Sequence, residues 1–159
     1  MSVPPISREM LTACCGAKRW VGEMLASQPF ESATDLHARA ESIWWSLSEA
    51  DWLEAFASHP KIGERAKHSG ASSDWSRQEQ SRAETQDSAL SDELMRLNRE
   101  YEERYGFIFI ICATGKSAGE ILAALKRRLH NAHEEEIRIA AAEQAKIMHL
   151  RLDKLFEAA

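Results

Sequence analysis

Apolar residues recur every three or four positions along most of the chain, the period of an amphipathic helix. Ser7 is placed to cap a first helix, whose apolar side takes Met10, Leu11 and Cys14 and extends to Trp20 and Val21. Thr34 or Ser32 caps a second, with Leu36, Ala40, Ile43, Trp44 and Leu47 on one stripe. Ser48 caps a third over 49–58, and Pro60 ends it because the residue before proline avoids the helical region. Lys61 to Ser72 carries two glycines and many charges and reads as a loop. Ser72 or Ser73 caps a helix from Asp74 to about Gln86. Ser91 opens another, with Asp92 and Glu93 in its first turn, where the helix dipole favours acid. Its stripe is Leu94, Leu97, Tyr101 and Tyr105, and Gly106 stops it.

Phe107 to Ala113 breaks the pattern as a continuous apolar run. One strand without a visible partner favours a buried extended segment. Ser117 and Glu120 have capping-box spacing for a helix to about Asn131. A last helix spans about Ala132 to Phe156, with Ile137, Ala141, Met148, Leu152 and Leu155 in line. Glycines number 7 and prolines 4, none after Pro60, which disfavours a turn-rich β fold. The expectation is an all-α, single-domain helical bundle over residues 1–159 with a long C-terminal helix.

Composition narrows the function classes. The 159 residues hold 20 basic and 25 acidic side chains, a net charge of −5. A dedicated nucleic-acid binder needs a basic surplus, so no nucleic-acid partner is expected. A membrane helix needs about 20 apolar residues, far more than the run from Phe107 to Ala113, so no membrane partner is expected. The first ten residues lack an apolar stretch fit for a signal peptide. The three cysteines, Cys14, Cys15 and Cys112, are an odd count without a CxxC pair. Reduced thiols in a cytoplasmic protein follow.

Four places invite chemistry. Gly115-Lys116-Ser117 follows an apolar run and opens a helix, but a phosphate-binding loop needs a glycine at position 110, which is Ile. A plain helix cap is the better reading. His130 and His133 have HxxH spacing, but Asn131 sits at a helix break and no third ligand is marked. With Glu134, Glu135 and Glu136 they read as a solvated helix start, and no metal is expected. His59-Pro60 lies at the edge of a helix beside Phe56 and Ile62, where an imidazole can move a proton near pH 7. Twenty residues on, Ser76, Glu79 and Gln80 share a helical face, offering a hydroxyl, a carboxylate and an amide. Taken alone, His59 reads as a structural histidine and Glu79 as a surface residue. Arg151 sits at the margin of the last apolar stripe. It reads either as a snorkelling surface residue or as a buried guanidinium receiving a carboxylate.

Together these stretches resemble the 2-oxo-4-hydroxy-4-carboxy-5-ureidoimidazoline (OHCU) decarboxylase family. The matching residues are Phe56 to Gly63, Trp75 to Gln80, Leu97 to Tyr101, Tyr105 to Ala113, Arg128 to Asn131, and Lys146-Ile147 through Arg151-Leu152. Their order, and the gap from His59 to Glu79, make the combination specific. Two departures are mild. Ile108 stands where the family often has proline, and the chain ends Phe-Glu-Ala-Ala without a peroxisomal address.

The resemblance implies an all-helical homodimer acting on a small-molecule substrate without a cofactor. It implies that His59 is the catalytic histidine, with Glu79 orienting it or the substrate hydroxyl. Pro60 would shape the pocket, and Ser76 and Gln80 would hold the ring and ureido groups. Ile111, Cys112, Ala113 and Gly115 would supply backbone contacts. Arg151 would anchor anionic charge, with Arg128 and Arg138 as the alternatives. The implied reaction is decarboxylation of the ureidoimidazoline to (S)-allantoin and CO2 in urate breakdown. Its rivals are a decarboxylase for a related cyclic ureide and a non-catalytic helical dimerisation module.

Overall fold

The computed structural model describes residues 3–60, 75, 79 and 88–157. Every regular element among them is a helix: α1 (Arg8–Cys14), α2 (Lys18–Ser27), α3 (Ala33–Ser46), α4 (Glu49–Ala57), α5 (Ser88–Tyr105), α6 (Ala118–Arg128) and α7 (His133–Glu157). The fold is all-α with a long C-terminal helix, as the apolar period predicts. The chain divides into two compact units. One takes the described residues through Ser58 together with those from Gln144 onward, and the other runs from His59 to Glu143.

In the first unit, serine caps set the helix starts. Ser7, Ser32 and Ser48 each accept from a backbone amide three residues on, and Ser48 closes a full capping box with Asp51. The predicted first helix is in fact two. The chain leaves helical geometry at Cys15, and α2 begins at Lys18. At the break, Gly16 lets the backbone come close to Ser58, since a Cβ there would lie 2.7 Å from the Cβ of Ser58, inside contact distance. Met10 is exposed, whereas Leu11, Cys14, Trp20 and Val21 are buried. Around them pack α1 against α2 and α2 against α3. The indole N–H of Trp20 donates to Ala40 O at 3.2 Å, and that of Trp52 to Trp44 O at 3.0 Å. Buried tryptophans thus bring large apolar area without an orphaned donor.

In the second unit, α5 packs against α6. Helix α5 is already formed at Ser88, ahead of the predicted Ser91, and Gly106 ends it at φ +81°, a conformation that favours glycine. Phe107 to Ala113 forms neither helix nor strand, and all of it but Ile108 is buried. The Ser117–Glu120 capping box opens α6, which closes at Leu129, ahead of the predicted Asn131. The predicted loop 61–72 and most of the helix from Asp74 lie outside the described residues; Trp75 and Glu79 are helical.

Candidate active site

His59 and Pro60 are half-buried directly after the C-cap of α4. Proline fixes the backbone that presents the imidazole. Glu79 is buried, 7% exposed, and so is not the surface residue its polar surroundings suggest. Ser76 and Gln80 lie outside the described residues. Ile111, Cys112 and Ala113 are buried, and Gly115, at φ +78°, turns the chain at an exposed corner. Lys116 N–H closes that corner on Ala113 O at 2.9 Å. All of these belong to the unit from His59 to Glu143.

Electrostatics connects two of the stretches. Burial raises the pKa of the Cys112 thiol. The Thr114 amide opposes that rise and the Glu143 carboxylate adds to it; Lys116 lowers it and Glu79 raises it again. The Glu79 contribution is the smallest of these. A thiol pushed upward stays protonated, which leaves Cys112 a packing residue rather than a nucleophile. Cys14 and Cys15 are likewise buried and pushed up to about 12, chiefly by burial.

A segment with no strand beside it must find hydrogen bonds elsewhere. Arg128 Nη1 donates to Ile110 O at 2.7 Å. Cys112 N–H donates to Glu143 Oε1 at 3.0 Å, and Lys116 Nζ donates to Cys112 O at 3.1 Å. Arg128 is itself fixed by Glu136, with its Nε at 2.8 Å and Nη2 at 2.6 Å from Oε2. Tyr101 Oη donates to the same Glu136 oxygen, and Asn131 Nδ2 to the other at 3.0 Å. The Arg128 guanidinium also lies over the Phe109 ring, 4.5 Å from its centroid.

This network corrects the reading of 134–136 as wholly solvated. Glu134 and Glu135 are exposed, but Glu136 has no exposure at all. The helical period puts Glu136 beside Ile137 and Ala140 on the buried face, where Arg128 balances its charge. The HxxH pair falls at the predicted break, with α7 beginning at His133. Among the described residues, no group of three or more His, Cys, Asp or Glu is arranged to hold a metal ion.

Arg151 belongs to the other unit and is the buried guanidinium of the two alternatives, 2% exposed. Its Nη1 donates to Ala13 O at 2.9 Å, in the last turn of α1, where the helix dipole favours a cation. That unit also holds a polar cluster with no counterpart in the sequence reading. His37 Nδ1 and His149 Nδ1 are 2.7 Å apart, and the rings stack at 4.9 Å. His37 Nε2 meets Asp153 Oδ1 at 2.9 Å, and His149 Nε2 meets Glu41 Oε2. His37, Glu41, His149 and Asp153 carry no motif, so only their spacing along amphipathic helices could have suggested them.

The chain thus presents, on an all-α frame, a histidine at a helix edge, a buried carboxylate and a pinned apolar backbone segment. The chain belongs to the OHCU decarboxylase family, whose model matches residues 6–153 and so runs through both units. It is 41% identical over 156 residues to the "Uric acid degradation bifunctional protein TTL" of Arabidopsis thaliana, which covers 95% of this chain. The chain spans about half of that relative, 48% of its length. The 2-oxo-4-hydroxy-4-carboxy-5-ureidoimidazoline decarboxylase of Xenopus laevis is 36% identical over 133 residues, 82% of this chain and 76% of that one. A crystal structure of an OHCU decarboxylase in the presence of (S)-allantoin matches with a TM-score of 0.83 and 38% identity. The match covers 96% of this chain and 99% of that one. No described helix is long and apolar enough to cross a membrane.

Proposed function

We propose that this chain decarboxylates 2-oxo-4-hydroxy-4-carboxy-5-ureidoimidazoline to (S)-allantoin and CO2, a step of urate degradation. The substrate carries its own electron sink. As the C–CO2 bond breaks, its electron pair moves into the adjacent C=N, and a proton then adds to carbon on one face. His59 is the proposed general acid, delivering that proton, an effect of about 10²–10⁴-fold in rate. Glu79 orients His59 or the substrate hydroxyl. Pro60 shapes the pocket, and Ser76 and Gln80 hold the ring and ureido groups. Ile111, Cys112, Ala113 and Gly115 offer backbone contacts. The anion-anchoring role goes to Arg151, with Arg138 and Arg128 as the alternatives; the Arg128 guanidinium is engaged by Glu136, Ile110 and Tyr101.

The observation that supports this reading most is the likeness, over 96% of this chain and at 38% identity, to an OHCU decarboxylase crystallised in the presence of (S)-allantoin. Buried Glu79 and the pinned segment around Cys112 are the stretches to which family resemblance gives one substrate. A cytoplasmic homodimer, working as one OHCU-decarboxylase domain across the chain, belongs to the same proposal. The three free, buried cysteines fit a reducing compartment.

The test generates the unstable imidazoline from urate with the two upstream enzymes and follows (S)-allantoin by circular dichroism. Wild-type protein should form it rapidly and enantioselectively. His59→Asn should remain folded and lose about 10²-fold or more. Wild-type protein no faster than the racemic background would overturn the reaction.

A further inference from the structure

The segment from Ile110 to Ala113 is held by groups the reaction itself does not require, and Glu143 stands out among them. Its carboxylate accepts from the Cys112 amide at 3.0 Å, while Lys116 donates to the Cys112 carbonyl at 3.1 Å. Both are charge-assisted bonds, a class stronger than neutral ones. They act on consecutive peptide units. The Cys112 N–H shares a rigid plane with the Ile111 carbonyl, and the Cys112 carbonyl shares one with the Ala113 N–H. Both peptides are trans, so each bonded group points opposite to its planar partner. Fixing the Cys112 N–H on Glu143 therefore aims the Ile111 C=O. Fixing the Cys112 C=O on Lys116 aims the Ala113 N–H.

We propose that Glu143, seconded by Lys116, is a positioning residue that aims the Ile111 carbonyl and Ala113 amide at the substrate's ureido group. This rests on the decarboxylase reading. A ureido group carries N–H donors and a carbonyl acceptor, and the aimed pair offers one acceptor and one donor. Glu143 touches no substrate in this account. Its side chain is half-buried, and it reaches the segment from near the middle of α7. Turning the two peptides by even about 1 Å at the substrate would weaken the grip.

The experiment compares Glu143→Leu, which removes the acceptor, with Glu143→Gln, which keeps an amide oxygen in its place. Steady-state kinetics on the in situ substrate is paired with hydrogen exchange at the Cys112 amide. Glu143→Leu should raise KM about five- to tenfold, the size of one well-placed hydrogen bond, with kcat within about threefold. Its Cys112 amide should exchange faster, and Glu143→Gln should restore both readouts to near wild type. Lys116→Met should raise KM in the same direction, which keeps the test open if Glu143→Leu fails to fold.

Several results overturn the proposal. Glu143→Leu could leave KM and Cys112 exchange unchanged, or Glu143→Gln could fall as far as Glu143→Leu. A folded Lys116→Met with wild-type KM counts against it in the same way. If wild-type protein is active and the variants are indifferent, only this proposal fails. An inactive wild type removes the decarboxylase reading and this one together.

Discussion

Two polar clusters, one in each compact unit, use the same residue chemistry in opposite surroundings. In the second unit, Arg128, Glu136 and Tyr101 form an ion pair and hydrogen-bond network with almost no exposure. In the first, His37, His149, Glu41 and Asp153 form a chain of contacts at the surface, with side-chain exposures from 24% to 61%. The difference teaches that burial, more than geometry, fixes what a charged contact is worth. Taking two charges out of water is costly, so the buried pair is compensated only while both members are present. Water screens the surface cluster, and any one of its four members can be lost cheaply. The buried network also holds Ile110, so its integrity reaches the backbone segment beside the candidate site.

The largest effect should come from breaking the buried pair. Glu136→Ala leaves the Arg128 guanidinium uncompensated and should cost about 3–5 kcal/mol in denaturant melts. Replacing both by apolar residues of similar size, Arg128→Met with Glu136→Leu, should recover much of that loss. A double variant no better than the single one would mean that the bond to Ile110, not charge balance, dominates.

Tyr101→Phe is the intermediate case. It removes one donor to the Glu136 carboxylate and should cost about 1.5–3 kcal/mol, the range for a hydrogen bond to a charged group. The phenol pKa is raised, first by burial, and Glu136 adds to that rise while Arg128 opposes it. The phenol therefore remains a protonated donor, and the loss should be the same across neutral and mildly alkaline pH. A loss that disappears on raising the pH would contradict that assignment.

The smallest effect belongs to the surface cluster. Partial burial pushes the Glu41 carboxyl up, but hydrogen bonds from His149 and Trp45 outweigh it, and its pKa ends below the usual carboxylate range. A depressed folded pKa adds stability above the unfolded value of about 4.3, and that stability is lost as pH falls through the folded value. Glu41→Gln should therefore be less stable than wild type at pH 6, by no more than about 1 kcal/mol because the site is exposed. The gap should close on acidification toward pH 3. Thermal melts at both pH values check this, and a gap that widens in acid would reverse the sign of the argument.

The two clusters also mark where sequence reading succeeds and fails. Arg128 belongs to a stretch that carries the family resemblance, and so enters as a candidate, though for substrate rather than for Glu136. Glu136 hides in a run of three glutamates, because composition assigns the run one environment while the helical period separates its members. His37 and His149 lie in different helices, and nothing local marks them as partners. In the candidate site, His59, Pro60 and Glu79 are legible from a restricted backbone and from family spacing. The burial of Glu79 and the hold of Glu143 on Cys112 are not.

What the sequence determined by itself is local. Ser7, Ser32, Ser48 and Ser117 start helices by bonding amides three residues away, and Gly106 ends one by accepting a positive φ. The apolar run of Phe107 to Ala113 marks a buried segment because so much apolar surface cannot stay in water. Only tertiary structure decided the rest. The close approach that requires glycine at position 16 is to Ser58, and the cap on α1 depends on Arg151, 138 residues from Ala13. Periodicity says which face of a helix is buried. Which groups meet on that face is set by packing between distant parts of the chain, and there every buried charge and backbone amide must find its partner.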